Sequence, residues 1–231
     1  MAKTRELTEV VDWLDALLET ARFADESNNG LQIGRTGARV SKVAFGVDAS
    51  LAFLSRAAAW GADLCVVHHG LSWGGGIRRL TGAAYAAAKT AIGADMALYA
   101  SHLPLDANRA CGNNWEIARY LGLKKVRPAF AWRGTVIGVV GEKAPGRLVG
   151  VCSGGGGSFA PEAKELGCAL FVTGEADWAE TIAAENAGMP MLCAGHYETE
   201  IFGVRALSLR LARELGVETK LFLRETKPPC C

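Results

Sequence analysis

VAFGVDASLAFLSRAAAWGADLCVVHHGLSWGGGIRRLTGAAYAAAKTAIGADMALYASHLPLD, the stretch from Val43 to Asp106, decides the fold. Three apolar runs in it have strand character: VAFGVD from Val43, DLCVVH from Asp63 and MALYAS from Met96. Between them lie LAFLSRAAAWG and TGAAYAAAKTAIG, which have helical composition and close on glycine, the residue favoured just past a helix C-terminus. Unbroken apolar strands are those covered on both faces. Strands alternating with helices specify an α/β layered fold.

The pattern continues to the end of the chain. Strand-like runs start at Thr135 (TVIGVVG), Arg147 (RLVGVC), Ala169 (ALFVTG), Pro190 (PMLCAG) and Thr219 (TKLFLR). The segments NNWEIARYLG, PEAKELG, WAETIAAENAG and IFGVRALSLRLARELG suit helices. The later part also repeats the earlier one. VAFGVDAS, GADLCVVHHG and DMALYASHLPLD align with LVGVCSGG, GCALFVTGEADW and MPMLCAGHYETE, so that Ala100-Ser101-His102 falls on Ala194-Gly195-His196. The acid four residues beyond each histidine is Asp106 in one and Glu200 in the other. An internal duplication accounts for this match, with a first half over residues 1–125 that includes the N-terminal helix and a second over 126–231. Each half is expected to be a three-layer α/β/α arrangement. A duplication would bring the C-terminal ends of equivalent strands to one cleft, where open α/β sheets bind ligands.

Composition narrows the function classes. Half of the 231 residues are hydrophobic and 21% are charged, with a formal net charge of +1. The two signs are interspersed, and no basic stripe is present of the kind that neutralises a phosphate backbone, which argues against nucleic acid. No run approaches the ~18 to 20 apolar residues of a membrane span. Leu7, Val10, Val11, Leu14, Leu17 and Leu18 recur at helical spacing among acids, so the N-terminal segment reads as an amphipathic helix and not a signal peptide. The seven cysteines form no CxxC. Cys65, Cys168 and Cys193 lie in apolar runs and read as small packed hydrophobes, so a reducing, cytoplasmic location is expected. Cys230 and Cys231 follow Lys227-Pro228-Pro229 and read as a frayed tail.

The chain has four histidines, and each stands just after a strand-like run: His68 and His69 close CVVHHG, His102 opens HLPLD and His196 opens HYETE. Successive side chains on a strand point to opposite faces. Neighbouring histidines therefore cannot easily chelate one ion from within a strand, but where the chain bends at Gly70 each can serve a different ion of a pair. Asp106, after a Pro-containing loop, supplies a hard oxygen. His196 and Glu200 stand at i and i+4, on one face of a helix if one starts there, and Glu200 has the reach to bridge. This mixed N/O set suits two divalent ions of zinc, iron, manganese, cobalt or nickel better than calcium.

DESNNGLQIG (Asp25 to Gly34), VVHHGLSW (Val66 to Trp73), SHLPLDAN (Ser101 to Asn108), GNN (Gly112 to Asn114), VTGEAD (Val172 to Asp177) and AGHYETE (Ala194 to Glu200) together resemble the Nif-three-like dinuclear metal proteins, also called type-two GTP cyclohydrolase homologues. The motifs run over nearly the whole chain, residues 1–231 forming one such unit. The resemblance implies two similar intertwined α/β halves and a ring-like homo-hexamer. It also implies a two-metal site whose ligands match His68, His69, Asp106, His196 and Glu200, with Glu200 bridging. Longer relatives carry an inserted domain between the halves; here only the stretch from Leu123 to Ala144 connects them. Tyr197-Glu198 lies where some relatives have a further histidine. His102 reads as a ligand, or, closer to the family pattern, as support for Asp106 or a contact to substrate.

Other features leave alternatives open. Glu175 reads as a general acid or base facing the metals, or as an exposed acid. The run Gly154 to Gly157 reads as a phosphate-cradling turn or, preferably, as a tight turn lining the cleft. Asn28 and Asn29 either reach the site or shape a turn. A metal pair lowers the pKa of a bridging water and polarises a carbonyl, ring carbon or phosphoryl oxygen, so the expected reaction class is hydrolysis of a small nucleotide, heterocycle or phosphoester. Purine ring opening would use Glu175 or His102 to shuttle protons. The alternative is a protein that stores or delivers metal without turnover.

Overall fold

The computed structural model describes residues 2–224. In chain order the elements are β1 (Arg5–Glu6), α1 (Leu7–Leu18), β2 (Gly30–Ile33), β3 (Arg39–Val40), β4 (Lys42–Asp48), α2 (Leu51–Trp60), β5 (Leu64–His69), α3 (Gly82–Gly93), β6 (Ala97–Ala100), α4 (Leu103–Ala107) and α5 (Asn113–Tyr120). There follow β7 (Lys124–Trp132), β8 (Thr135–Ala144), β9 (Arg147–Cys152), α6 (Ala160–Glu165), β10 (Cys168–Thr173), α7 (Trp178–Asn186), β11 (Met191–Cys193), α8 (His196–Leu215) and β12 (Glu218–Leu221). The α/β class expected from the sequence is thus observed. The chain divides into two compact units, Met1–His102 with Leu207–Cys231, and Leu103–Ala206. It leaves the first unit after His102 and returns to it within α8.

The first unit is built on a five-stranded sheet of order β12-β4-β5-β6-β2, parallel except for the antiparallel edge strand β2. Its strands alternate between two covered faces. Ala44, Cys65, Val67, Leu98 and Ala100 pack with Phe53, Leu54 and Ala57 of α2 and with Ala87 and Ala91 of α3. Tyr99 projects to the other face, where its hydroxyl donates to Asp15 of α1 at 2.7 Å, and Val10, Leu14 and Leu18 of that helix are buried. The N-terminal helix is therefore amphipathic, as its spacing predicts. Ser50 caps α2 by accepting from the Phe53 N–H, and Gly61 ends it with φ +76°, the left-handed conformation that glycine adopts without strain.

The second unit is built on a sheet of order β11-β10-β9-β8-β7, with β9, β10 and β11 parallel and β7 and β8 antiparallel. Trp115, Ile117 and Ala118 of α5 pack on Val139, Val149, Val151 and Val172. On the opposite face the ring centroid of Phe130 lies 5.2 Å from Phe171 and 5.7 Å from Phe159, just before α6. Gly150 permits this: a Cβ there would lie 2.8 Å from Phe130 and 3.0 Å from Phe171. Asp177 and Glu180 form a reciprocal capping box on α7.

Three expectations are corrected. Leu123 to Ala144 is more than a connection, because it holds the hairpin β7–β8 of the second sheet. Asp106 lies within α4 and not after a loop, proline being compatible with a first helical turn. Cys193 is exposed, while Cys65 and Cys168 are buried as expected. Cys230 and Cys231 lie outside the described residues. Among the described residues no helix is long and apolar enough to cross a membrane.

Candidate metal centre

In the first unit the donors gather where β5 and β6 end. His68 and His69 are the last two residues of β5, and just before the turn at Gly70 their ring centroids are 4.6 Å apart. His102, just past β6, lies 5.1 Å from His68 and 5.7 Å from His69 by ring centroid. A ligand nitrogen from each of the three falls within 4.8 Å of the other two. The turn has no room for a side chain at Gly70: a Cβ would lie 2.5 Å from Gln32 Nε2 and 2.6 Å from Ala100 Cβ. Gln32 Oε1 in turn accepts the N–H groups of Leu71 and Ser72.

Each imidazole is oriented through Nδ1. His68 Nδ1 meets the carbonyl oxygen of Ser101 at 2.9 Å, His69 Nδ1 meets Asp48 Oδ1 at 2.9 Å, and His102 Nδ1 meets Asp25 Oδ1 at 3.0 Å. Carbonyl and carboxylate oxygens only accept, so Nδ1 carries a proton in all three rings, and in the neutral tautomer this selects it is Nε2 that presents the lone pair. This is the arrangement in which proteins hold histidine as a metal ligand. Asp25 is almost fully buried, with 3% of its side chain exposed, and it also accepts the Ser27 N–H and the Asn29 side-chain amide. Asn29 Oδ1 accepts the His102 backbone N–H at 2.8 Å. Asn29 therefore places His102, while Asn28 donates to the Ser72 hydroxyl and shapes the loop.

In the second unit Asp106, His196 and Glu200 stand at the end of β9. Ser153 Oγ donates to Asp106 Oδ1 at 2.9 Å, and the same oxygen accepts from Asn113 Nδ2 at 2.8 Å. Asn114 bridges the Ser153 N–H and the Ile137 carbonyl, and Asn113 Oδ1 accepts the Gly203 N–H. The next residue, Gly154, has φ +63°, and a Cβ there would come within 3.3 Å of His196 Nε2. The N–H of Gly154 donates to Thr199 and that of Gly156 to Thr173. Those two amides are committed within the fold, and with Gly154 in the left-handed conformation the run turns sharply beside His196 and Glu200.

His196 and Glu200 lie on one face of α8, as the i, i+4 spacing predicts, with Nε2 3.0 Å from Glu200 Oε1. Nδ1 is 2.9 Å from Glu175 Oε1. The hydrogen bond to the buried Glu200 and the second carboxylate at Glu175 push the His196 pKa up to about 9, against the opposing effect of burial. Without a metal this ring is an imidazolium between two carboxylates. Glu175 is mostly exposed and touches His196, which makes it a partner of that ring.

The donor set is chemically consistent with a borderline divalent metal: imidazole nitrogens whose tautomers are set, and carboxylates fixed by hydrogen bonds. These His and Glu groups could hold a metal ion. Sequence reasoning does not assign Asp25, Asp48, Asn113, Asn114 or Ser153 to their partners. The motifs DESNNG and GNN contain three of them, but motif membership does not say which side chain each one holds.

The chain matches the Duf34/NIF3 family (NGG1p interacting factor 3) over residues 5–145 and 132–228. It is 40% identical to a GTP cyclohydrolase 1 type 2 homolog of Deinococcus radiodurans, over 90% of this chain and 89% of that protein. The protein of the same description from Escherichia coli K12 is 34% identical, with 87% and 91% covered. Among solved structures, TTHA1606 from Thermus thermophilus superposes with a TM-score of 0.84 at 31% identity, covering 96% of this chain and 99% of that one. Reduced HcgD from Methanocaldococcus jannaschii gives a TM-score of 0.85 at 23% identity, with 96% and 99% covered, a likeness of fold alone.

Proposed function

This chain belongs to the Duf34/NIF3 family, and from that premise we propose that it holds a pair of divalent metal ions and uses them to hydrolyse a small nucleotide, heterocycle or phosphoester. The proposed ligands are His68, His69, Asp106, His196 and Glu200, with Glu200 as the bridge. The ions are zinc, iron, manganese, cobalt or nickel. The observation that carries this reading is the convergence of three imidazoles, each with its Nδ1 proton given to an oxygen acceptor. The ring-like homo-hexamer implied by the family resemblance is proposed with it.

When bound, a metal pair supplies an activated water and polarises the bond under attack. The chain's own residues supply the rest. Loss of the Nε2 proton from His196 leaves a nitrogen and an oxygen donor 3.0 Å apart on one helical face. His102 is the proposed proton carrier: its Nε2 takes a proton from the attacking water and passes it to the leaving group, while Asp25 at Nδ1 stabilises the cationic ring. Glu175 holds His196 and, being exposed, can exchange a proton with solvent.

The curated relatives' description makes GTP the first substrate to try, followed by other nucleotides and simple phosphoesters. Metal-loaded wild-type protein should turn over a member of this panel, and His102→Ala should lose that turnover while keeping its metal. A wild-type protein with two metals that leaves the whole panel intact would contradict the hydrolase reading and favour metal storage or delivery.

A further inference from the structure

Trp73 stands against the histidine cluster. Its ring centroid is 5.1 Å from His102, at an interplanar angle of 70°, and 6.0 Å from His69. The indole is held in place: Nε1–H donates to the Gly70 carbonyl at 2.9 Å, and the Trp73 backbone bridges that of Ser27. The Asn28 N–H donates to the Ser72 carbonyl and the Gly74 N–H to the Glu26 carbonyl, on either side of it. Yet 37% of Trp73 remains exposed. A rigid, partly exposed indole beside oriented imidazoles offers a π face to a planar ring.

A cation follows on the same loop. Gly74 and Gly76 have φ +53° and +87°, and the chain turns so that the Arg78 guanidinium lies 3.6 Å from where a Gly75 Cβ would stand. Arg78 is exposed and two residues beyond that triple glycine. One short segment thus carries a partly exposed indole beside the donors and, five residues on, an exposed guanidinium.

We propose that the loop from Trp73 to Arg78 is a substrate-recognition arm for a phosphorylated planar heterocycle, a nucleotide, with Trp73 stacking on the ring and Arg78 pairing with the phosphate. Base–aromatic stacking tolerates any base because each has a π face, and guanidinium matches phosphate geometry with paired hydrogen bonds. The proposal deepens the hydrolase reading and rests on it for the placement of the ring beside the donors.

The test is calorimetric binding of guanosine 5′-monophosphate and of guanosine to the metal-loaded protein, with metal content measured on the same samples. Trp73→Ala should weaken both ligands at least about five-fold, and Trp73→Phe, which keeps a ring, should bind within about two-fold of wild type. Arg78→Ala should weaken the nucleotide and leave guanosine unchanged. The proposal is overturned if Trp73→Ala binds like wild type, if Trp73→Phe is as weak as Trp73→Ala, if Arg78→Ala affects both ligands alike, or if wild type binds neither. Binding that follows the expected pattern in protein with fewer than two metals would sustain the arm and count against the dinuclear reading alone.

Discussion

His102 and Asp25 are 77 residues apart in the chain, and Nδ1 of the histidine lies 3.0 Å from Oδ1 of the carboxylate. The same carboxylate ties the Ser27 N–H and the Asn29 amide. It therefore organises the loop before β2 and sets the tautomer of a ring beside the candidate ligands. Removing it should damage the fold as well as the site. In Asp25→Ala three donors lose a buried acceptor, and stability should fall by about 1–3 kcal/mol. Urea unfolding of the metal-free protein measures this, and a wild-type midpoint would show that the loop does not depend on Asp25.

Asp48 has the same relation to His69, at 2.9 Å, but from a more exposed position. Asp48→Ala should therefore separate the two effects. Metal affinity should fall roughly 10- to 100-fold, as for other loss of an outer-sphere partner, while the metal-free protein stays within about 0.5 kcal/mol of wild type. Competition with a chromophoric chelator reads the first quantity and urea unfolding the second.

Gly70 is where the paired histidines turn out of β5. An alanine Cβ there would meet Gln32 and sit 2.6 Å from Ala100 Cβ. Gly70→Ala should cost about 1–3 kcal/mol by overpacking and displace the rings of His68 and His69. Lowered metal content together with a lowered unfolding midpoint is the expected result. A variant with the wild-type midpoint would mean that Gln32 moves aside freely.

His196 sets the pH behaviour. Its pKa is raised to about 9 by Glu200 first and Glu175 second. A metal at Nε2 must displace a proton at any lower pH, so affinity should increase with pH toward about 9 and binding should release a proton to buffer. In the metal-free protein the sign is opposite. The imidazolium–carboxylate contacts contribute stability that is complete below the unfolded histidine value near 6.5 and is lost as pH rises through about 9. Melting of metal-free protein between about pH 6 and 9.5 should show that decline, and His196→Gln should flatten it. A curve of the same slope in the variant would place the titrating group elsewhere.

The features legible in the sequence are those encoded by short-range pattern. β4, β5, β9 and β10 are apolar runs covered on both faces, and their bounds follow the sequence pattern closely. Two of the elements that escape it, β2 and β7, are edge strands of the five-stranded sheets. β7 carries Lys124, Lys125, Arg127 and Pro128, residues that natural edges use to discourage further pairing and that read as a linker. The histidines and the i, i+4 pair in α8 are visible because their spacing is local. Asp25, Asp48 and Asn113 are not assignable in the same way because their partners are set by tertiary placement. The apolar helical pattern is plain only from Ile201, whereas α8 begins at His196, so its polar first turn is the part that carries the donors.

Metal stoichiometry tests the central claim most directly. Wild-type protein purified without chelator, and Glu200→Ala prepared alongside, would be assayed for metal per chain by inductively coupled plasma mass spectrometry. The account predicts about two equivalents of a divalent transition metal in wild type and a sharp drop in Glu200→Ala. Wild-type protein that holds no metal even after reloading, or a Glu200→Ala variant that retains the full complement, would contradict it.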